Sequence, residues 1–205
     1  MDAAVQKAIS GLESKGFRVI LVENAQEAKE TLLVHIPAEA TVGVGGSVSV
    51  RETGVLEALT QRGQKVFDHW KTATPEERTA VQRGAMGADV YLTSCNALTS
   101  DGRPVLIDGG GNRVGAVCFG PKTVFFVVSL SKLVEGGINA AVARIKKVAC
   151  PANARRLGMD TPCAHTGVCN APVCEHSMCR LTLVLDRLPL GRQMTVVLVQ
   201  EALGY

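Results

Sequence analysis

Thr41-Val42-Gly43-Val44-Gly45-Gly46-Ser47-Val48-Ser49-Val50-Arg51-Glu52 decides the fold. Thr41 to Val44 reads as a short buried strand that runs directly into Gly-x-Gly-Gly-Ser. After the glycines the apolar spacing turns helical, with Val55, Leu56 and Leu59 on one face. Ser49 and Glu52 stand three residues apart, the spacing of a capping box at a helix start. Strand, glycine turn, helix is the building unit of a parallel α/β sheet.

The same alternation extends both ways. Upstream, Val5, Ile9 and Leu12 keep helical spacing up to Gly16, and Phe17 to Val22 is strand-sized. Asn24, with Glu27 three residues on, opens a second helix that reaches Pro37. Downstream, Lys65 to His69 is a short strand, and Thr74-Pro75-Glu76-Glu77 opens a helix with cap, N1 proline and acidic first turn. Asp89 to Thr93, Val105 to Ile107, Val114 to Cys118 and Thr123 to Val128 read as strands. Ser131 to Ile145 contains a helix, and Pro151 is expected to break the chain. Leu181 to Leu185 and Thr195 to Val199, joined by a Pro-Leu-Gly turn, are expected to form a terminal hairpin within 181–205. The expectation is one α/β domain over 1–205, mostly parallel, with some antiparallel pairing after position 100 and a Cys-rich insert at 160–180.

Composition narrows the class. The chain has 205 residues, 46% of them apolar, which is enough for one real core. No apolar run approaches the roughly 18 residues of a membrane helix, so no membrane association is expected. Net charge is +3, and aromatic residues are only 4%. Neither a phosphate-backbone footprint nor a stacking platform is present, so nucleic acid is not an expected partner. Met1-Asp2-Ala3-Ala4-Val5 lacks the basic and apolar regions of a secretory leader, and the expected compartment is the cytoplasm. In that compartment, clustered cysteines mean metal or redox chemistry more often than disulfides.

Two glycine loops are candidate ligand sites. At the first, Gly43, Gly45 and Gly46 allow close backbone approach, and Ser47 and Ser49 add hydroxyls. The Lys of a P-loop is absent and the glycine spacing is not GxGxxG. A plain βα turn, in which the glycines serve geometry alone, is the competing account. At the second, Gly109, Gly110 and Gly111 precede Asn112 and Arg113, whose guanidinium suits a carboxylate or phosphate. Asn96, Asp101 and Lys132 lie near strand ends and complete the set. A wide turn satisfied by its own Asn and Asp is the competing account here. His69, beside Trp70, reads as structural or exposed, and Cys95 shows nothing that would activate it as a nucleophile.

The cysteine segment is Cys163-x5-Cys169-x4-Cys174-x4-Cys179, with Cys150, His165 and His176 as further donors. Four thiols in so short a polar stretch point to a metal, with reduced structural thiols in a loop, or adventitious disulfides, as the competing account. The spacing matches neither the short knuckle of structural zinc nor the tight ferredoxin run, and it is reachable for either.

Gly-Val-Gly-Gly-Ser-Val-Ser-Val-Arg-Glu-Thr-Gly (43–54), the Ala88-Asp89-Val90 … Asn96-Ala97-Leu98-Thr99 … Asp101-Gly102 run, Gly-Asn-Arg-Val (111–114) and Gly-Pro-Lys (120–122) together resemble the LUD domain. This is the lactate-utilisation family that includes LutC- and YkgG-like proteins. The resemblance implies a Rossmann-like three-layer α/β sandwich with its site at the glycine loops. It also implies a role in oxidising lactate to pyruvate with iron–sulfur oxidoreductase partners, and on that ground an iron–sulfur cluster is favoured over zinc at Cys163, Cys169, Cys174 and Cys179. A small anionic molecule is the expected ligand, and a homodimer is also entertained. The order of motifs is similar to ribose-5-phosphate isomerases, whose fold group includes glucosamine-6-phosphate deaminases and CoA transferases. Those isomerases carry acidic residues where this chain has Asp89 followed by Val90 and Tyr91. A sugar-phosphate isomerase or a CoA-transferase-like enzyme, with Glu52 as its acid, is the alternative function. A non-catalytic interaction module is the third.

Overall fold

The computed structural model describes residues 2–170 and 174–205, so positions 171–173 of the expected Cys-rich insert lie outside the described residues. In chain order the strands are β1 (Arg18–Val22), β2 (Val42–Val44), β3 (Val66–Phe67), β4 (Val90–Thr93), β5 (Ala97–Thr99), β6 (Pro104–Asp108), β7 (Thr123–Ser129), β8 (Leu133–Val134), β9 (Leu181–Val184) and β10 (Gln193–Val199). The helices are α1 (Ala3–Ser14), α2 (Ala25–His35), α3 (Val48–Glu52), α4 (Val55–Gln61), α5 (Pro75–Met86), α6 (Asn112–Phe119), α7 (Ile138–Arg144), α8 (Cys150–Arg156) and α9 (Pro162–Thr166).

Six strands pair in parallel in the order β1-β10-β7-β4-β2-β3. The two-residue period of a strand divides the central residues between two cores. Phe125 and Val127 of β7 join Leu32, Val50 and Leu56 from α2, α3 and α4. Val124, Phe126 and Val128 join Leu12, Ala85 and Ala116 from α1, α5 and α6. Helices therefore cover both faces, and the result is the Rossmann-like three-layer sandwich.

A second, four-stranded sheet runs β8-β5-β6-β9, antiparallel at β5–β6 and β6–β9. It leaves the main sheet where two paired neighbours, β4 and β7, continue into β5 and β8. Leu98 and Leu106 face the main body. Ala97, Val105 and Ile107 pack against Ala141, Ile145 and Ala149 on the other side.

Four expectations need correction. First, residues 181–205 do not form a hairpin. β9 pairs with β6, Leu183 opposite Leu106, while β10 lies between β1 and β7. Met194, Val196, Val197, Leu198 and Val199 are buried, and an almost continuous apolar run is what a central parallel strand requires. Second, Val114 to Cys118 is helical, within α6, because the Asp108 carboxylate accepts from the N–H groups of Arg113 and Val114 and caps that helix. Third, Pro151 does not end its helix. Residues Ile145–Ala149 form a π-turn between α7 and α8, and its wider ladder accommodates the missing N–H and the ring. Fourth, the helix N-cap at the first glycine loop is Ser47, whose Oγ accepts from Val50 N, and not Ser49.

Gly43 is set by close packing. A Cβ there would sit on the Ala85 carbonyl of α5. Gly43→Ala is expected to cost about 1–3 kcal/mol by overpacking. Gly87→Ala, where a Cβ would meet nothing closer than 3.7 Å at an ordinary negative φ, should leave the midpoint nearly unchanged. Urea denaturation of the two variants checks the difference.

Candidate functional site

A cleft of about 280 Å³ opens where the two sheets part. Its floor is Lys132, 3% exposed, presented from the short turn between β7 and β8. The Lys132 ammonium donates to Ser49 Oγ at 2.6 Å, Ser94 Oγ at 3.0 Å and the Cys95 carbonyl at 3.4 Å. None of these acceptors is a carboxylate, and burial lowers the lysine to about 8. Ser49 in turn donates to the Leu203 carbonyl at 3.2 Å.

Gly46, Ser47 and Ser49 line one side of the cleft, and Asn96, Gly109, Gly110, Asn112 and Arg113 line the other. Gly45 lies behind the wall, where a Cβ would meet Arg113 Cγ at 2.9 Å. Arg113 donates to the Ile107 carbonyl at 2.6 Å and lies 3.8 Å from Asp108. Asp108 is already committed, since its carboxylate accepts from the N–H groups of Gly109, Arg113 and Val114. Asn96 Oδ1 accepts from Ile107 N at 3.0 Å, so that oxygen helps hold the second sheet.

Gly43 and Asp101 do not reach the cleft. Gly43 is packed within β2. Asp101 lies in the β5–β6 turn, where Thr99 Oγ1 donates to it, Arg103 pairs with it at 3.4 Å, and its carbonyl accepts from Lys15.

Sequence reading passed over the opposite wall. His69, Trp70, Arg78, Gln82, Asn153, Arg156 and Tyr205 line it. His69 and Trp70 stand against Gly46, within 3.6 and 3.4 Å of where its Cβ would be. Burial, and then Arg78, lower the His69 imidazole, which favours its neutral form. Trp70 carries the guanidinium of Arg51 at 3.8 Å and that of Arg156 at 4.4 Å over its ring. Arg156 also donates to Tyr205 Oη at 2.8 Å and to Asn153 Oδ1. A Trp between two Arg, brought together from positions 51, 70 and 156, has no local pattern that could announce it. Among the described lining residues Lys132, Arg78, Arg113 and Arg156 are cationic, and Asp108 has the only carboxylate side chain. Cys95 also lines the cleft, but burial pushes its thiol up to about 11, which keeps it protonated at neutral pH.

A second cavity of about 250 Å³ adjoins the first. Cys163, Cys169, Cys174 and Cys179 all line it, together with Cys150 and Lys146. Cys150 and Cys179 are 3.2 Å apart and share a hydrogen bond. That bond lowers the Cys179 thiol, with help from Lys146, and pushes Cys150 up. Among the described residues no three His, Cys, Asp or Glu converge as the ligands of one ion. His165 pairs instead with Asp160 at 2.8 Å on the exposed side of α9, and neither it nor His176 lines the cavity.

The LUD domain matches residues 5–199 of this sequence. The chain belongs to the LUD-domain family. At family level it is a lactate-utilisation-type protein. Its fold is similar to the crystal structure of a DUF162 family protein from Deinococcus radiodurans, with TM-score 0.57, 16% identity and 96% of each chain covered. No curated protein matches the sequence significantly. Among the described residues of this LUD domain, no helix is long and apolar enough to cross a membrane.

Lys132 gives the domain a pH signature. Between about 8 and its ordinary 10.5 the unfolded chain binds a proton that the folded chain does not, so stability from this group rises with pH. The wild type should gain up to about 3 kcal/mol relative to Lys132→Met across that window. Paired urea titrations at successive pH values measure it.

Proposed function

We propose that this LUD-domain chain binds a small carboxylate- or phosphate-bearing molecule in the cleft and serves lactate-to-pyruvate oxidation alongside iron–sulfur oxidoreductase partners. The observation that carries the reading is electrostatic. Lys132, Arg78, Arg113 and Arg156 face one cleft in which the only carboxylate side chain among the described residues, that of Asp108, already caps α6. Lys132 is the strongest part of the case, being buried with neutral acceptors only. An anion in the cleft supplies the counter-charge, in a site sheltered enough for the pairing to matter. Ser47, Asn112 and the backbone at Gly46, Gly109 and Gly110 add polar groups at the same opening. The volume fits a small organic acid or a compact phosphate ester.

The isomerase and transferase readings gain no acid from this geometry. Glu52 accepts from Gly204 N at 2.6 Å and does not line the cleft. Asp89 is at the opposite end of β4, holding Thr41 through its N–H and hydroxyl.

Trp70 is the chain's single tryptophan and lies in the wall, so intrinsic fluorescence reports on occupancy. Titration with lactate, pyruvate and phosphate is expected to give a saturable change with at least one of them. Arg113→Gln should weaken that ligand about 10- to 100-fold, the worth of one charge-assisted hydrogen bond. Ser47→Ala should weaken it less. If neither substitution alters any affinity, the reading fails. The affinity should also fall about tenfold per pH unit above pH 8 as Lys132 loses its proton, and Lys132→Met should flatten the profile.

A further inference from the structure

The thiol-lined cavity contains none of the four cations that face the cleft. We propose that it is the seat of an iron–sulfur cluster, ligated by Cys163, Cys169, Cys174 and Cys179. Cys150 is then the outer thiol that hydrogen-bonds one ligating sulfur.

The first argument is convergence. The thiols come from separate pieces of chain: the start of α8, the start of α9, Cys169, and the described stretch 174–179. They nevertheless face one space of about 250 Å³. Cys118, by contrast, is exposed on α6, and Cys95 lies in the buried core.

The second argument is spread. Zinc holds four ligands about 2.3 Å from one centre, which puts tetrahedral sulfurs within about 4 Å of one another. Here the Cys150–Cys179 pair meets that distance, and no third described ligand joins it. Sulfurs placed around a cavity suit a group that fills the middle with its own iron and sulfide and takes thiolates at its corners. The third argument is charge. Lys146 lines the cavity and offsets part of the negative charge that thiolates bring. The Cys150 contact to Cys179 is of the outer-shell kind that tunes such centres.

Cys150, Met178 and Cys179 line both cavities. The cluster would therefore sit one side chain away from the anion cleft.

The test uses the full chain, handled anaerobically and incubated with ferrous iron, sulfide and dithiothreitol, then desalted. The expected product is brown, with a broad visible band that dithionite bleaches and about two or four irons per chain with equal acid-labile sulfide. Cys163→Ser, Cys169→Ser, Cys174→Ser and Cys179→Ser should each drop iron retention at least tenfold, while Cys118→Ser, on the exposed face of α6, keeps it. Because a variant can lose iron by failing to fold, alkylation of the wild type provides a second reading. With the cluster loaded, iodoacetamide should reach Cys118 and spare Cys163, Cys169, Cys174 and Cys179, and chelation of the iron should expose all four. A colourless, folded wild type overturns the proposal. So does uptake of one zinc in place of iron and sulfide, or a Cys150–Cys179 disulfide as the only change. The Trp70 titration is read separately, so failure of the cluster and failure of the anion reading are distinguishable.

Discussion

The buried ammonium of Lys132 is the contact on which the site depends. It stands where β7 leaves the main sheet for β8, and it reaches across to Ser94 and Cys95, where β4 leaves for β5. A third bond, to Ser49, ties in the start of α3. One cation therefore pins the point at which two adjacent parallel strands diverge. Burying a charge is costly unless it is compensated, and three dipoles compensate only in part. The lowered proton affinity of Lys132 expresses that shortfall. The rest of the cleft adds to the positive charge, with Arg113 on one wall and Arg78 and Arg156 on the other.

The two glycine loops serve this arrangement differently. At 109–111 the helix start that could receive an anion is filled by the chain's own Asp108, which bonds three backbone N–H groups. That carboxylate holds α6 in place, and with it Arg113. At 43–46 the glycines allow close approach: Gly43 beneath α5, Gly45 against Arg113, and Gly46 against His69 and Trp70. The glycines are thus largely packing devices, and the ligand-binding capacity proposed here rests on side-chain cations.

How much of this was legible follows from which features are local. Strand, glycine turn and capped helix at 41–61 are encoded in adjacent residues, and the α/β class followed from them. Most of the expected loop residues do line the cleft. What escaped depends on distant partners. Val114 to Cys118 has a strand's composition, and only the Asp108 cap makes it a helix. Leu181 to Leu185 and Thr195 to Val199 looked like a hairpin because they are close in sequence, yet each finds a better-buried partner in a different sheet. The wall of His69, Trp70, Arg156 and Tyr205 is assembled from three separate regions. Charge complementarity across such separations cannot be read from spacing.

The π-turn at Ile145–Ala149 connects the two cavities. Past it, α8 directs Asn153 and Arg156 to the cleft, while Cys150 stands in the partition facing both spaces. A helix turns by about 100° per residue. Carrying the same chain through a regular α-helical ladder, one residue shorter, would rotate α8 by about that angle. Arg156 would leave Trp70, and Cys150 would leave Cys179, in a single motion. The turn that accommodates Pro151 thus also sets the phase of α8. One continuous helical element carries residues of the cationic wall of the cleft and of the thiol side of its neighbour, so the proline and the two linings are coupled through a single helix phase.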